Sequence, residues 1–152
     1  MAIYTKLNQE QVSNILLNYK LGNLKKFEGI KEGIENTNYF IETEKGKYIL
    51  TIYEKRVNKD DLPFFSQLML GLSKKNFISP KPILNKNSKY ISDFGNKKLM
   101  IVSYLEGKSK KNLSPSECKI VGRESAKMHE ITRNFNFKRE NNLSVKSWRK
   151  IF

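Results

Sequence analysis

An α+β fold with an antiparallel sheet is predicted from the order of helical and strand-like patterns along the chain. The 152 residues begin with a helical pattern and continue with three strand-like segments, a second helix and two or three further strands. Helical patterns come last. Strands joined by short turns around one inserted helix are typical of an antiparallel sheet with helices packed against it.

The first helix is predicted from its cap and from its apolar spacing. Asn8 is a suitable N-cap, and Gln11 stands three residues later as its capping-box partner. We expect the helix to end at Gly22, because glycine is common just after a helix. Four apolar side chains recur on one face, at Val12, Ile15, Leu16 and Tyr19.

The second and third helices are also predicted from their first turns. Asp60 or Asp61 caps the second helix, and Pro63 fits its first turn. The third helix begins at Ser114 with Glu117 as its capping-box partner. The expected buried stripe of the second helix consists of Leu62, Phe65, Leu68, Met69 and Leu72.

The strands are predicted from segments rich in aromatic and β-branched residues between turn signals. The first three read NLKKFEGI, NTNYFIETE and GKYILTIYEKR, with Lys45-Gly46 as a turn. Further turns are expected at residues 85–88 and 93–96. The apolar run Leu99–Leu105 is long enough for a central strand.

The composition favours a soluble, cytoplasmic protein. There is no apolar run of about 18 residues and no signal-peptide core at the N-terminus. The net charge of +14 raises the possibility of nucleic-acid binding, but the lysines are spread along the chain and no basic-aromatic cluster accompanies them. We therefore expect neither a nucleic acid nor a membrane as partner.

Two short motifs resemble known magnesium- or phosphate-binding motifs, but the residues around them do not match those motifs. Asp93-Phe94-Gly95 has the letters of a magnesium-binding kinase motif, but no His-x-Asp loop precedes it, so we interpret it as a turn. Gly107-Lys108-Ser109 resembles the end of a P-loop, which needs a glycine five residues before its second glycine. Val102 stands there, so this match also fails.

The segment Gly29–Phe40 allows two interpretations. Its glycines could let backbone N–H groups approach phosphates, and its asparagines could donate side-chain N–H groups. An ordinary Gly/Asn hairpin explains the same composition. The residues concerned are Gly29, Gly33, Asn36 and Asn38.

The reactive side chains form no catalytic or metal cluster in the sequence. His129 is the single histidine and is expected to lie in the last turn of a helix, where a packing role is favoured. Cys118 is the single cysteine. Neither it nor Ser125, on the same helix, has neighbours that would complete a triad.

The order of these segments resembles the N-terminal lobe of the choline/aminoglycoside phosphotransferase family, whose members share the protein-kinase-like fold. YILTIYEKR, SPKPIL, LMIVSYLEG and VGRESAKMHEI carry the resemblance. GIENTNYFI, DDLPFF and LSVKSWR are similar to segments of the family members that phosphorylate homoserine.

The resemblance implies a kinase N-lobe with its hinge over residues 1–106 and the start of a truncated helical C-lobe over residues 107–152. It implies ATP-dependent phosphorylation of L-homoserine in threonine biosynthesis. Val102 would lie behind the adenine, which would pair with the carbonyl of Ser103 and the N–H of Leu105. The loop over the phosphates would contain Gly29, Gly33, Asn36 and Asn38.

The sequence departs from the family pattern at two places. Thr51 stands where many relatives carry a third-strand cation, and Phe65 falls near the acidic residue that would pair with it. Phosphate neutralisation would then come from Lys31, Lys55 or Arg56.

The family's magnesium ligands and catalytic carboxylate are expected beyond Phe152, so the chain alone is expected to be inactive. Its third helix would then present a stripe to an absent partner, made of Cys118, Val121, Ser125 and Met128.

Other functions stay open on the sequence alone. One is a kinase of the same family for choline, methylthioribose or an aminoglycoside. Another is a non-catalytic module that binds a nucleotide, and a third is a basic nucleic-acid-binding module.

Overall fold

The computed structural model describes residues 3–55, 57–141 and 144–145, which form a five-stranded antiparallel sheet with helices. The strand order is β1-β2-β3-β5-β4, and each neighbouring pair is antiparallel. The predicted α+β class is confirmed. The strands are β1 (Leu24–Gly29), β2 (Thr37–Thr43), β3 (Gly46–Tyr53), β4 (Ile91–Phe94) and β5 (Lys97–Ser103).

The main core lies between one face of the sheet and helix α1 (Gln9–Leu16). Alternate residues of β2, β3 and β5 point to this face, because successive side chains of a strand point to opposite sides. Ile41, Leu50, Ile52 and Ile101 are completely buried there. Val12, Ile15 and Leu16 of α1 pack against them, as the helical spacing predicted.

Helix α1 has the predicted capping box but a different end. The side chain of Asn8 accepts from the N–H of Gln11 at 2.8 Å, and Gln11 Oε1 accepts from the N–H of Asn8 at 2.9 Å. The helix ends at Leu16, so the end predicted at Gly22 is wrong. The chain leaves the helix because Tyr19 forms a β-bridge with Asn85, a contact distant in sequence.

Helix α2 (Leu62–Lys74) follows a short 3₁₀ turn at Lys59–Asp61. Asp61 occupies the N-cap position but makes no capping hydrogen bond, so the predicted role of an aspartate cap is wrong. Its carboxylate instead accepts from Nε of Arg139 at 2.7 Å. The side chain of Asn58 caps the 3₁₀ turn through the N–H of Asp60 at 3.1 Å.

Helix α3 (Pro115–Thr132) starts with the predicted capping box of Ser114 and Glu117. None of its residues is buried. The chain then turns back over α2, where Phe137 packs edge to face on Phe64 with ring centroids 5.5 Å apart. A Cβ on Gly71 would lie 2.6 Å from the ring of Phe135, so glycine lets this returning segment approach α2.

Two smaller predictions are corrected or remain outside the described part. Asp93 lies in β4 opposite Lys98, with which it forms an ion pair, so the turn that was predicted from residue 93 comprises only the residues after Phe94. Arg56 and most of the segment LSVKSWR lie outside the described residues. Within the described ranges, no helix combines the length and the apolar character needed to cross a bilayer.

Candidate functional site

The candidate site lies on the sheet face that points away from α1. The side chains that alternate with the core residues point to this face, which is partly exposed. The register pairs Asn38 with Thr51 and places Phe40, Ile49 and Val102 side by side on three strands. We call the part of the face around Asn38 and Thr51 its polar end, and the part around Phe40, Ile49 and Val102 its apolar end.

A hydrogen bond joins the side chains of Asn38 and Thr51. Thr51 Oγ1 donates to Asn38 Oδ1 at 2.8 Å. Because the amide oxygen of Asn38 is used in this bond, its side-chain nitrogen keeps its donors for another group. The structure thus brings together two predicted site residues, Asn38 and Thr51.

The apolar end of the face is bordered by the chain that leaves β5. Ser103 ends this strand, and its N–H donates to the carbonyl of Lys81 at 2.9 Å, while its hydroxyl accepts from the N–H of Lys81 at 2.9 Å. Among the described residues, the N–H of Leu105 has no hydrogen-bond acceptor. At this border, Ser103 at the end of β5 is therefore held by hydrogen bonds, and the backbone N–H of Leu105 is available as a donor.

Two aromatic side chains at this end were not among the predicted site residues. Phe40 and Tyr104 pack edge to face with ring centroids 5.2 Å apart. Tyr104 is held by its N–H, which donates to the carbonyl of Lys47 at 3.1 Å. The period-two alternation of β2 could have identified Phe40, because it shares a face with Asn38.

The glycine-containing segment forms the β1–β2 loop, defined here as residues 30–36. Gly29 ends β1, and a Cβ there would lie 2.5 Å from Cδ1 of Ile3, which gives a packing reason for glycine. Gly33 has φ +104°, a conformation that favours glycine. Asn36 Oδ1 accepts from the N–H of Glu54 at 3.3 Å, so its amide nitrogen also stays available as a donor.

A partly buried ion pair beside this loop was not predicted from the sequence. Glu54 is paired with Lys97, and their side chains are 10% and 28% exposed. The Glu54 carboxylate also accepts from the hydroxyls of Thr5 at 2.6 Å and Thr37 at 2.7 Å. In β3 every second side chain, including that of Leu50, points to the core, and Glu54 continues this series just after the strand. A charged residue at a core-facing position was therefore the sign in the sequence that pointed to this ion pair.

This network determines the ionisation of Glu54. Burial disfavours the charged carboxylate, but the hydrogen bonds from Lys97, Thr5 and Thr37 outweigh it and hold the pKa of Glu54 below its usual value. The carboxylate is therefore charged at neutral pH, and it ties the N-terminal segment to the ends of β3 and β5.

The cations proposed for phosphate neutralisation lie near the loop or outside the described residues. Lys31 is exposed within the β1–β2 loop, and Lys55 is exposed just after β3. Arg56 lies outside the described part. Phe65, expected near a lost acidic position, lies in α2 beneath the guanidinium of Arg139, 5.4 Å from the ring centroid.

Comparisons of the sequence identify close relatives. The chain is 42% identical over all 152 residues to a homoserine kinase of Methylobacterium radiotolerans, and 40% identical to one of Rhizobium meliloti. Each alignment covers 100% of this chain and 47% of the relative. The chain therefore spans about half the length of the relatives it matches.

Comparisons with solved structures agree on the fold. A spectinomycin phosphotransferase in complex with ADP and spectinomycin gives a TM-score of 0.69 at 16% identity, over 97% of this chain and 46% of that protein. A microcompartment-associated aminopropanol kinase gives 0.69 at 14% identity, over 93% and 48%. The family model described as the phosphotransferase enzyme family matches residues 26–151. The chain therefore belongs to the phosphotransferase enzyme family and contains the antiparallel sheet of a kinase-like N-lobe.

Proposed function

We propose that this chain is the nucleotide-binding half of a homoserine kinase, which transfers the γ-phosphoryl group of ATP to the side-chain hydroxyl of L-homoserine. The observation that carries the proposal is the 42% and 40% identity to homoserine kinases along the whole chain. The reaction would serve threonine biosynthesis. Residues 1–106 would form the N-lobe with its hinge, and residues 107–152 would begin the C-lobe.

The polarity of the candidate face supports a nucleotide as ligand. In this proposal the adenine contacts the apolar end, with Val102 behind it and Phe40 beside it. The N–H of Leu105 donates to a ring nitrogen, and the carbonyl of Ser103 accepts from the exocyclic amine. The ligand then continues toward the polar end, where the Asn38–Thr51 pair is joined by a hydrogen bond of 2.8 Å.

The β1–β2 loop would hold the phosphates. Backbone N–H groups around Gly33 can approach an anion closely because glycine carries no side chain there. The amide nitrogens of Asn36 and Asn38 add neutral donors at the same end of the sheet. Lys31 and Lys55 supply positive charge from exposed positions. These groups would position the γ-phosphoryl group for in-line transfer.

Magnesium is the cofactor that kinases use with ATP, and it neutralises charge on the β- and γ-phosphates. Within residues 3–55, 57–141 and 144–145, no group of three or more His, Cys, Asp and Glu side chains could hold a metal ion. We therefore propose that the metal ligands and the carboxylate that orients the hydroxyl come from the half of the relatives that this chain does not match. On this proposal, residues 1–152 alone do not transfer phosphate.

The test uses the product of the complete reading frame that contains this chain. We expect ADP release that depends on L-homoserine and Mg²⁺, with far less activity on choline, methylthioribose and aminoglycosides. Val102→Trp should fill the adenine side of the cleft and raise the KM for ATP strongly. Leu17→Trp is the control, because Leu17 is 67% exposed and follows α1 on the other side of the sheet.

Three results would contradict parts of this proposal. If the protein preferred another alcohol, the proposed kinase activity would stand and the proposed substrate would be wrong. ATP binding without phosphoryl transfer would leave a nucleotide-binding module. Equal effects of Val102→Trp and Leu17→Trp on the KM for ATP would show that the nucleotide does not bind to this face.

A further inference from the structure

The N-terminal segment, defined as residues 3–7, lies along the start of β2. The hydroxyl of Thr37, which is completely buried, accepts from the N–H groups of Tyr4 at 3.0 Å and Thr5 at 3.1 Å. Further along, the N–H of Leu7 donates to the hydroxyl of Tyr39 at 2.9 Å, and that hydroxyl donates to the carbonyl of Thr5 at 3.0 Å. The backbone at Tyr4 is therefore fixed to the strand that follows the β1–β2 loop.

From this fixed position, Tyr4 reaches the tip of the loop. Its hydroxyl donates to the carbonyl of Ile34 at 2.8 Å. In the part of the chain that the structure describes, this is the single hydrogen bond to residues 31–35. The side chain of Ile34 is 75% exposed, so packing of that side chain does not hold the tip in place.

The space beside this contact is open. A cavity of about 360 Å³ separates the loop from the ends of β3 and β5. Because none of the side chains that the structure describes packs against the loop tip on this side, the hydrogen bond from Tyr4 is what holds the tip there. The cavity is lined by Tyr4, Ile34, Glu35, Glu54, Lys55 and Lys97.

The N-terminal segment contacts the loop at its two roots as well as its tip. Ile3 lies against Gly29 before the loop, and the backbone of Tyr4 and Thr5 is bonded to Thr37 after it. The Glu54–Lys97 pair holds Thr5 from the other side, since Lys97 donates to the Thr5 hydroxyl at 2.6 Å. The three contacts together fix the position from which the Tyr4 hydroxyl reaches the tip.

We propose that Tyr4 is a positioning residue, whose hydroxyl holds the β1–β2 loop in the shape that receives the nucleotide phosphates. This inference rests on the proposed function, because it assumes that the loop contacts ATP. A loop held in its binding shape loses less conformational freedom when the ligand arrives, so its backbone donors bind more tightly. Tyr4 itself does not touch the reacting atoms.

The test compares Tyr4→Phe with Tyr48→Phe in the complete protein. Tyr48 is the matched control, because its hydroxyl also donates to a backbone carbonyl, that of Lys45 at 3.3 Å. That turn follows β2, about 20 Å from the β1–β2 loop at 3.3 Å per strand residue. Tyr4 is 58% exposed, so loss of its hydroxyl leaves the fold intact.

For Tyr4→Phe we expect the KM for ATP to rise about 2- to 10-fold, which corresponds to the loss of one hydrogen bond, with kcat within about twofold. Trypsin should also cleave after Lys31 faster in the nucleotide-free variant, because the loop tip is released. Tyr48→Phe should match the wild type in both measurements.

The second measurement separates this inference from the proposed function. If the wild-type protein neither binds ATP nor transfers phosphate, the kinase proposal fails, and cleavage after Lys31 then tests the restraint alone. Faster cleavage in Tyr4→Phe than in Tyr48→Phe supports it. Equal cleavage rates, or an active Tyr4→Phe variant with an unchanged KM for ATP, would overturn the role of Tyr4.

Discussion

Helices α1 and α3 begin with the same kind of cap but are buried to different degrees. Both start with a capping box, at Asn8 and at Ser114. Helix α1 is short, yet it buries Val12, Ile15 and Leu16 against the sheet. Helix α3 has 18 residues and buries none, and it leaves Val121 53% exposed.

The difference teaches that local signals form a helix but do not determine what covers it. Of the stripe predicted on α3, Met128 lines a cavity against α2, whereas Cys118, Val121 and Ser125 are exposed. The stripe was expected to face a partner. We propose that this partner is the half of the relatives that the chain does not match, and the predictions below test how strongly the two regions differ.

The largest expected difference is between Ile101→Ala in the sheet and Val121→Ala on α3. Ile101 is completely buried, so truncating its side chain to alanine should cost about 3 kcal/mol of unfolding free energy, because a cavity is left in the core. Val121→Ala should change it by less than about 0.5 kcal/mol in residues 1–152. Urea unfolding followed by circular dichroism measures both.

Val121→Ala in the complete protein tests whether the unmatched half of the relatives covers α3. If the unmatched half packs on α3, Val121→Ala should there cost over about 1 kcal/mol, as expected for a buried Val. A cost that stays near zero in the complete protein would show that the exposed stripe is an ordinary helix surface.

A second comparison uses two neighbouring lysines of β5. Lys97→Met removes the cationic partner of the Glu54 carboxylate, which is 10% exposed, and should cost about 2 kcal/mol because a partly buried charge loses its charge-assisted hydrogen bond. The Lys97→Met/Glu54→Gln double variant should recover much of this loss. Lys98→Met is the control, since its partner Asp93 is 79% exposed, and no measurable change is expected.

Equal unfolding midpoints for Lys97→Met and Lys98→Met would contradict a stabilising role of the Glu54–Lys97 pair. A double variant no more stable than Lys97→Met would show that lost packing of the lysine stem, rather than the unpaired carboxylate, is responsible.

The elements that were predictable from the sequence are those that depend on near neighbours. The two capping boxes connect residues three positions apart, and the three segments rich in aromatic and β-branched residues form β1, β2 and β3. The placement of Asn38, Thr51 and Val102 on one face follows from the register of β2, β3 and β5 and from the alternation of side chains along each strand. Their role in binding ATP stays a prediction.

The features that were missed depend on contacts between distant residues. Helix α1 ends early because Tyr19 pairs with Asn85, and Asp61 leaves its capping role for Arg139. The Glu54–Lys97 pair joins residues 43 positions apart. A capping rule cannot anticipate such partners, because the energy that decides the outcome comes from tertiary packing.

The pH dependence of stability should reflect Glu54. Its pKa is lowered in the folded state from the ordinary value of 4.5, so the unfolded chain binds more protons in acid. Its contribution is therefore complete above pH 4.5 and is lost as the pH falls through the folded pKa. Between about pH 6 and about pH 3, the wild type should lose urea resistance more steeply than Glu54→Gln. Parallel curves for the two proteins would show that the pair contributes no linkage.

The smallest expected effects come from the two caps, and they return to the comparison of α1 with α3. Asn8→Ala and Ser114→Ala should each remove about 1 kcal/mol of local helix stability. In α1 this loss should lower the global unfolding free energy, because Val12 cannot leave the core unless the sheet opens. In α3 it should speed amide exchange in the first turns and leave the midpoint of the sheet unchanged, since those turns bury nothing. If Ser114→Ala lowered the global midpoint of residues 1–152 as much as Asn8→Ala does, α3 would unfold together with the sheet, and the contrast between a covered and an uncovered helix would not hold.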